Sequence, residues 1–360
     1  MTRALLCLCL LGVPLSGQNG PLAGAIRWDA WHGKAGRPGQ AVETSLGPKR
    51  WHSRLPFFAK VISDSEVRIE GNTQEVMDRE IAYAKRAGLD YWAFVTYEPD
   101  DAMSQGLKLY LSSTRKRDIR FCLITEHGRW GNRPTYRGKI KRFVELMADA
   151  SYQKVAGGRP LLYLGFLREE GIRQNWGSVQ EFRRAVDEFR ALAKQAGLAN
   201  PYVVIMDFQP ERGKQLADAL GCDAISSYAT SAREAAAPYS ALAAHAAGFW
   251  ERSKATGAKA VPFVMSGWDR RPRVEHPVPW ETYQKPGEGI ELYYETPRPA
   301  ELAAHLSDGL RWVKKNADAA EANALLIYAW NENDEGGWLV PTLLEGDARI
   351  EAVRRVLKAR

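Results

Sequence analysis

Two glutamates three positions apart, Glu332 and Glu335, stand in the segment Ile327-Tyr-Ala-Trp-Asn-Glu-Asn-Asp-Glu-Gly-Gly-Trp338. A carboxyl pair can cleave an acetal: one acid gives a proton to the leaving oxygen while the other works from the opposite side as nucleophile or base. Along an extended strand, residues three apart point to opposite faces, so this pair can converge only if the chain turns between its members. Asn333, Asp334, Gly336 and Gly337 are turn formers that permit it. A solvated acidic loop is the alternative that the same residues allow.

A wider set of candidates mixes acids with aromatic rings: Trp28, Asp29, Trp31, Tyr97, Glu98, Glu126, His127, Asp207, Tyr228, Trp268, Asp269, Trp330 and Asn331. Flat aromatic faces pack on the C–H surfaces of pyranose rings while acids bond their hydroxyls, so these residues suit contacts to a sugar. The six histidines are scattered and no HExxH occurs, so neither a metal nor a cofactor is expected; Glu126-His127 as metal ligands is the alternative to a substrate contact. The Gly-x-Ser-x-Gly elbow of an esterase is missing too.

These residues share a position, at or just beyond the ends of short apolar runs. Eight such runs alternate with helical patterns: Ala25–Trp31, Tyr91–Tyr97, Arg120–Glu126, Arg159–Phe166, Pro201–Gln209, Cys222–Tyr228, Ala260–Asp269 and Ala324–Asn331. Repeated βα units with strands apolar on both faces predict an α/β fold, a single-domain (β/α)8 barrel whose functional residues gather at the strand C-termini. A doubly wound open sheet would use the same pattern but usually carries a Gly-rich phosphate loop early, and none follows the first run. In the helical stretches, Asn72–Ala87 places Val76, Ile81, Ala84 and Ala87 on one face before Gly88, and Ser178 with Glu181 resembles a capping box. Two connections are long, His32–Gly71 after strand one and Arg270–Pro297 after strand seven. Both are rich in aromatic residues, among them Trp51, Phe57, Phe58, Trp280, Tyr283, Tyr293 and Tyr294. They suggest an extended cleft and cleavage within a glycan chain.

Composition narrows the class. The chain has 360 residues, 45% hydrophobic and 26% charged, as in an ordinary globular protein. Residues 1–25 read as a secretory signal, with cleavage after Gly17 or after Ala25, leaving 26–360 as the catalytic domain. The protein is therefore expected to be secreted, into the medium, the periplasm or the secretory lumen. No run is long enough to span a membrane. Cys122 and Cys222, the two cysteines beyond the signal, read as buried thiols rather than a bridge. The net charge of +7 is dispersed, with no nucleic-acid motif and no obligate protein partner evident. The cluster Arg129, Arg133, Arg137, Lys139, Lys141, Arg142 would attract an acidic glycan, or is a solvated loop and helix. Arg349, Arg354, Arg355, Lys358 and Arg360 read as the solvated end of a last helix.

The run Asn331-Glu332-Asn333-Asp334-Glu335-Gly336 resembles the Asn-Glu-x-x-Glu-Gly signature of glycoside hydrolase family 99, the endo-α-mannosidases and endo-α-mannanases, and of the related WbsX-type polysaccharide-biosynthesis proteins. Ser266-Gly267-Trp268-Asp269-Arg270-Arg271-Pro272-Arg273 is similar to the Gly-Trp-Asp-x-x-Pro-Arg stretch of that wider group. The resemblance implies a retaining hydrolase: Glu332 deprotonates the sugar 2-hydroxyl, which attacks the anomeric carbon to give a 1,2-anhydro sugar, and Glu335 is the acid and then the base. That scheme calls for a raised pKa on Glu335. Asn333 and Asp334 depart from the family, where an aromatic residue and then His or Ala are usual; Asp334 could bind a cation or a sugar hydroxyl instead. The other readings are a glycosyl-transfer role like that of the WbsX-type proteins, and a barrel that binds glycans without cutting them.

Overall fold

A computed structural model describes residues 20–230 and 234–360 of the chain. Its centre is a parallel sheet of eight strands: β1 Leu22–Arg27, β2 Tyr91–Val95, β3 Arg120–Glu126, β4 Arg159–Gly165, β5 Tyr202–Met206, β6 Ala224–Ser226, β7 Phe263–Met265 and β8 Ala324–Tyr328. Their spatial order, β7-β8-β1-β2-β3-β4-β5-β6, follows the chain around a circle. The last gap is bridged by Ile225, whose N–H donates to Lys259 O at 2.8 Å and whose carbonyl accepts from Val261 N at 2.9 Å. A doubly wound sheet reverses its strand order at a switch point; here it never reverses, so the chain is a (β/α)8 barrel.

Seven of the eight predicted runs contain their strands and the first overlaps its own, but the ends differ. The strands at Cys222–Tyr228 and Ala260–Asp269 shrink to three residues each, because apolar neighbours of a strand also line the barrel mouth without pairing. The first strand starts earlier than expected. Leu22 pairs with Ala324 and its N–H donates to Asn323 O at 2.8 Å, so the barrel begins at Leu22 and not at residue 26. Cleavage after Ala25 would remove four of the six residues of β1. The rest of the expected leader, residues 1–19, lies outside the described residues.

The barrel helices are α1 Gln74–Ala87, α2 Gln105–Ser112, α3 Tyr136–Met147, α4 Val179–Gln195, α5 Pro210–Leu220, α6 Tyr239–Ala255, α7 Pro299–Lys315 and α8 Ala348–Lys358. Thr73 caps α1 by accepting from Val76 N, and Gly88 ends it in the left-handed conformation at φ 83°, which costs glycine no Cβ clash. Ser178 caps α4 in the same way through Glu181 N. The connection after β1 is not structureless: it holds a helix at Arg37–Leu46 and a hairpin of Lys60–Ser63 with Glu66–Arg68. Cys122 is buried in β3, Cys222 is partly buried, and both are free. Arg349 corrects the reading of the last helix as a solvated face. It is buried, donating to Ser266 O at 2.9 Å and Trp338 O at 3.0 Å, with its guanidinium 3.8 Å from the Trp338 ring centroid.

Candidate active site

Beyond β8 the chain makes the turn that the glutamate spacing demands. Asn331 and Glu332 pair antiparallel with Trp338 and Gly337, and Asn333–Glu335 form a single tight turn closed by Gly336 at φ 85°. The neighbours leave no room for side chains there: a Cβ on Gly336 would lie 2.5 Å from the Asp269 backbone N, and one on Gly337 2.4 Å from the buried Tyr328 ring. Both long connections brace the turn. Asn333 Nδ2 donates to Arg54 O at 2.6 Å, Arg54 Nη1 to Asp269 O at 2.8 Å, and Asp269 N to Glu335 O at 2.7 Å.

The result aims both glutamates at one guanidinium. Arg273 Nη1 lies 2.5 Å from Glu335 Oε1 and Nη2 3.3 Å from Glu332 Oε2. The same side chain grips Asp334 through Nε at 2.7 Å and Nη2 at 3.1 Å, and sits 5.1 Å from the Trp28 ring centroid. Arg270 adds a bond of 3.1 Å to Glu335 and pairs with Glu281. Tyr228 donates to Glu332 Oε1 at 2.6 Å, and Tyr328 donates to Glu335 Oε2.

This arrangement splits the pair electrostatically. Burial, reinforced by the neighbouring Glu335 charge, pushes the Glu332 carboxyl well above the usual carboxylate range, and its longer contact to Arg273 offsets only part of that. Burial also acts on Glu335, but Arg273, Arg270 and the Tyr328 hydroxyl outweigh it and hold its pKa below the ordinary value. The order is the reverse of the raised pKa on Glu335 that the motif implied. The physical reason is that both arginines approach Glu335 closely, whereas Glu332 has one distant guanidinium.

Both carboxyls open on a cavity of about 480 Å3, within the usual range for small-ligand sites, at the C-terminal end of the strands. Trp28, Tyr97, Phe166, Tyr228, Trp268, Trp280 and Tyr283 supply its aromatic walls, and Glu126 with Arg129 one polar edge. Trp28 is held by a bond from its Nε1 to Tyr97 OH at 2.7 Å and packs against Trp280 at 5.6 Å.

With that site in view, solved structures offer a match. An endo-α-mannosidase of glycoside hydrolase family 99 from Bacteroides thetaiotaomicron, in complex with bis-tris-propane, superposes with a TM-score of 0.57 over 94% of this chain and 96% of that one, at 15% identity. A second structure of that enzyme gives 0.55 over 94% and 98%, at 14% identity. The likeness is one of fold. No protein-family model matches the sequence, and no curated protein does.

Of the residues expected at the site, the cavity takes in Trp28, Tyr97, Glu126, Tyr228 and Trp268 with the two glutamates, and leaves eight outside. Trp330 donates its indole N–H to Glu80 of α1 at 2.7 Å, and Arg27 joins Glu80 and Asp29 at 2.8 Å each, all between sheet and helix. Trp31 packs on Phe58 with ring centroids 5.0 Å apart. Glu98 pairs with Lys139 at 2.5 Å, and His127 packs against Gly171. Asp207 accepts from Gln209 N at 2.9 Å and Arg212 Nε at 2.7 Å at the start of α5. Asp269 is enclosed by Arg54 and Arg271, and Asn331 clamps the Trp28 backbone through Oδ1 at 2.9 Å and Nδ2 at 2.7 Å. These last two shape the site without facing it. Asp334 is likewise occupied by Arg273 rather than open to a cation or sugar. Arg270, Arg273 and Glu281 were not among the candidates. Their signal was the run of arginines following strand seven, a charge complement to Glu332-Asp334-Glu335.

The basic cluster follows the second of its two readings, a solvated loop and helix. Arg129 faces Glu126 at 3.2 Å, Arg133 Glu181 at 2.7 Å, Arg137 Glu188 at 2.8 Å, Lys139 Glu98 at 2.5 Å and Lys141 Glu145 at 3.9 Å, so little net charge remains to draw an acidic glycan.

Asp29 yields a stability prediction. Burial raises its pKa to about 6, against the lowering effect of Arg27. A carboxyl with a raised folded pKa contributes its stability in full below the unfolded pKa and loses it as pH rises through the folded value. Asp29→Asn keeps an acceptor for Arg27 and escapes that loss. Its thermal midpoint is expected to exceed that of the parent by a few degrees at pH 8 and to equal it near pH 3.5, measured by calorimetry; the opposite trend would refute the assignment.

Proposed function

We propose that this protein is a glycoside hydrolase that cleaves an oligo- or polysaccharide, with Glu332 and Glu335 as its catalytic residues. The observation that carries the reading is the convergence of two buried carboxyls, one favouring its proton and one its charge, in an aromatic-walled cavity at the catalytic end of a barrel. A barrel that only binds glycans has no use for such a division. The likeness in fold to a family 99 endo-α-mannosidase and the Asn-Glu-x-x-Glu-Gly run support the same reading.

The roles follow from the charges. Glu332, the carboxyl that burial and the Glu335 charge push towards its protonated form, gives a proton to the glycosidic oxygen as the bond from the anomeric carbon breaks. Glu335, kept ionised, takes the proton of the 2-hydroxyl, whose oxygen bonds to the anomeric carbon and forms a 1,2-anhydro sugar. Water then opens that ring: Glu332 removes a water proton, Glu335 returns its own to the 2-oxygen, and the configuration is retained. This exchanges the roles that the motif implies. Trp28 and Trp268 would hold the sugar face. The N-terminal apolar run supports export of the protein.

The test is a screen of purified protein against α-mannan, other neutral glycans and acidic glycans, with the first-formed anomer followed by NMR. Hydrolysis of a neutral glycan with retention is expected. Inversion would remove the anhydro-sugar route, and preferential turnover of an acidic glycan that falls with added salt would restore a role for the basic cluster.

A further inference from the structure

The two guanidiniums that hold Glu335 also hold a carboxylate for which the reaction has no evident use. Arg270 donates from Nε to Glu335 Oε1 at 3.1 Å and from Nη2 to Glu281. Arg273, on the short helix Arg271–Glu275, places its Nη1 2.5 Å from Glu335 Oε1 and 3.5 Å from Glu281 Oε1. Glu281 is therefore a rival for both cations. Its side chain is 11% exposed and it lines the same cavity as the catalytic pair, so these charges act on one another with less screening by water than surface groups do.

The backbone fixes Glu281 in that place. Its N–H donates to Val278 O at 3.1 Å and its carbonyl accepts from Gln284 N at 2.9 Å, so residues 278–284 make a compact turn rooted on the buried Val278. Trp280, next in the chain, packs on Trp28 and stands 5.7 Å from the Arg273 guanidinium. Around the Glu335 carboxyl are then Tyr328 and Glu332 from the end of β8 and the turn beyond it, Asp334 from the same turn, Arg270 and Arg273 from the start of the connection after β7, and Glu281 from further along that connection. An acid gripped by two arginines alone is a weak base, because the charges that keep it ionised also oppose its taking up a proton. A like charge on the same arginines works in the other direction.

We propose that Glu281 is a positioning residue for the reaction, a counter-charge that shares Arg270 and Arg273 with Glu335 and so keeps that carboxylate basic enough to take the proton of the sugar 2-hydroxyl. This role rests on the reading of Glu335 as the base, and Glu281 fills it without touching the reacting atoms. A purely structural tie would ask only that Glu281 hold the 278–284 turn, and Trp280 with it, over the cavity. Such a tie acts on binding and leaves the base as it is.

The test uses Glu281→Gln and Glu281→Asp in the full chain, read in two ways. In protein labelled with 13C at the glutamate carboxyls, the Glu335 resonance, recognised by its loss in Glu335→Gln, should keep its ionised position to lower pH in Glu281→Gln than in the parent, with Glu281→Asp between them. On the glycan that the parent cleaves best, Glu281→Gln should lower kcat about three- to tenfold at neutral pH, change KM by less than about twofold and carry the acid limb of the pH profile to lower pH. Glu281→Asp keeps the charge on a shorter arm, so it should restore part of each effect, and it carries the same readouts if Glu281→Gln loses its fold. A Glu335 titration that is unmoved, or displaced to higher pH, in the folded variants overturns the proposal, and so does a loss confined to KM; both leave the hydrolase reading standing. Failure of the parent to cleave any glycan overturns that reading and the role of Glu281 with it, whatever the Glu335 resonance does.

Discussion

Glu332→Gln is expected to lower kcat on a natural glycan by roughly 10²–10⁴-fold and to recover most of that on a sugar with an activated leaving group, such as a dinitrophenyl glycoside. Glu335→Gln is expected to lose a similar factor on both. The distinction follows from the site: an activated leaving group departs without a proton, so it bypasses the acid, but the 2-hydroxyl still needs a base. The parent should show a bell-shaped pH profile. Activity falls at low pH as Glu335, whose pKa is held below the ordinary carboxylate value by Arg273 and Arg270 against burial, takes up a proton. It falls at high pH as Glu332, pushed up by burial and by Glu335, loses one. Glu332→Gln should abolish the high-pH limb. Rescue of Glu335→Gln alone by the activated substrate would return the roles to the order implied by the motif. Full activity in both variants would remove the pair from catalysis altogether.

The largest loss of stability should come from Arg273→Met. One buried guanidinium holds Glu332, Asp334 and Glu335 together and reaches Glu281 at 3.5 Å. Burying charges is costly, and removing one partner of a buried pair leaves the others without compensation, typically at about 3–5 kcal/mol. For a chain of this size that corresponds to a drop of about 4–7 °C in thermal midpoint. The sign of its pH dependence is fixed as well. Without Arg273 the surrounding carboxyls hold their protons more tightly, so the deficit should shrink as pH falls and they become neutral. Scanning calorimetry of parent and variant at pH 5 and pH 8 measures it; an equal deficit at both would show that packing against Trp28, rather than charge, is what Arg273 provides. Arg273→Lys keeps a charge but not the fork that serves several acids at once, and should fall between the two.

The residues named outside the cavity share a cause. A strand-end position places a side chain at the catalytic rim but does not say which way it points. Successive residues alternate between the barrel interior and the surrounding helices. Trp28 and Asp29 are neighbours in sequence, yet the first faces the cavity while the second turns to Arg27, near Glu80 of α1. Asp207 and Asp269 carry the right chemistry at the right height, but arginines nearby in the chain claim them, Arg212 at 2.7 Å and Arg271 at 2.8 Å.

The barrel, and the turn that brings Glu332 and Glu335 together, were legible in the order of residues along the chain. Eight apolar runs separated by helical stretches have few ways to bury both sheet faces, and the glycines and turn formers around Glu332 and Glu335 are legible because turn chemistry is local. The folded arrangement alone sets the two carboxyls apart, pushing the Glu332 pKa up and holding the Glu335 pKa down. That depends on Arg270 and Arg273, which stand some sixty residues away and reach the acids only once the connection after β7 has folded over the barrel mouth. Charge–charge energies depend on distance and burial, and neither is written in the spacing of residues along a chain.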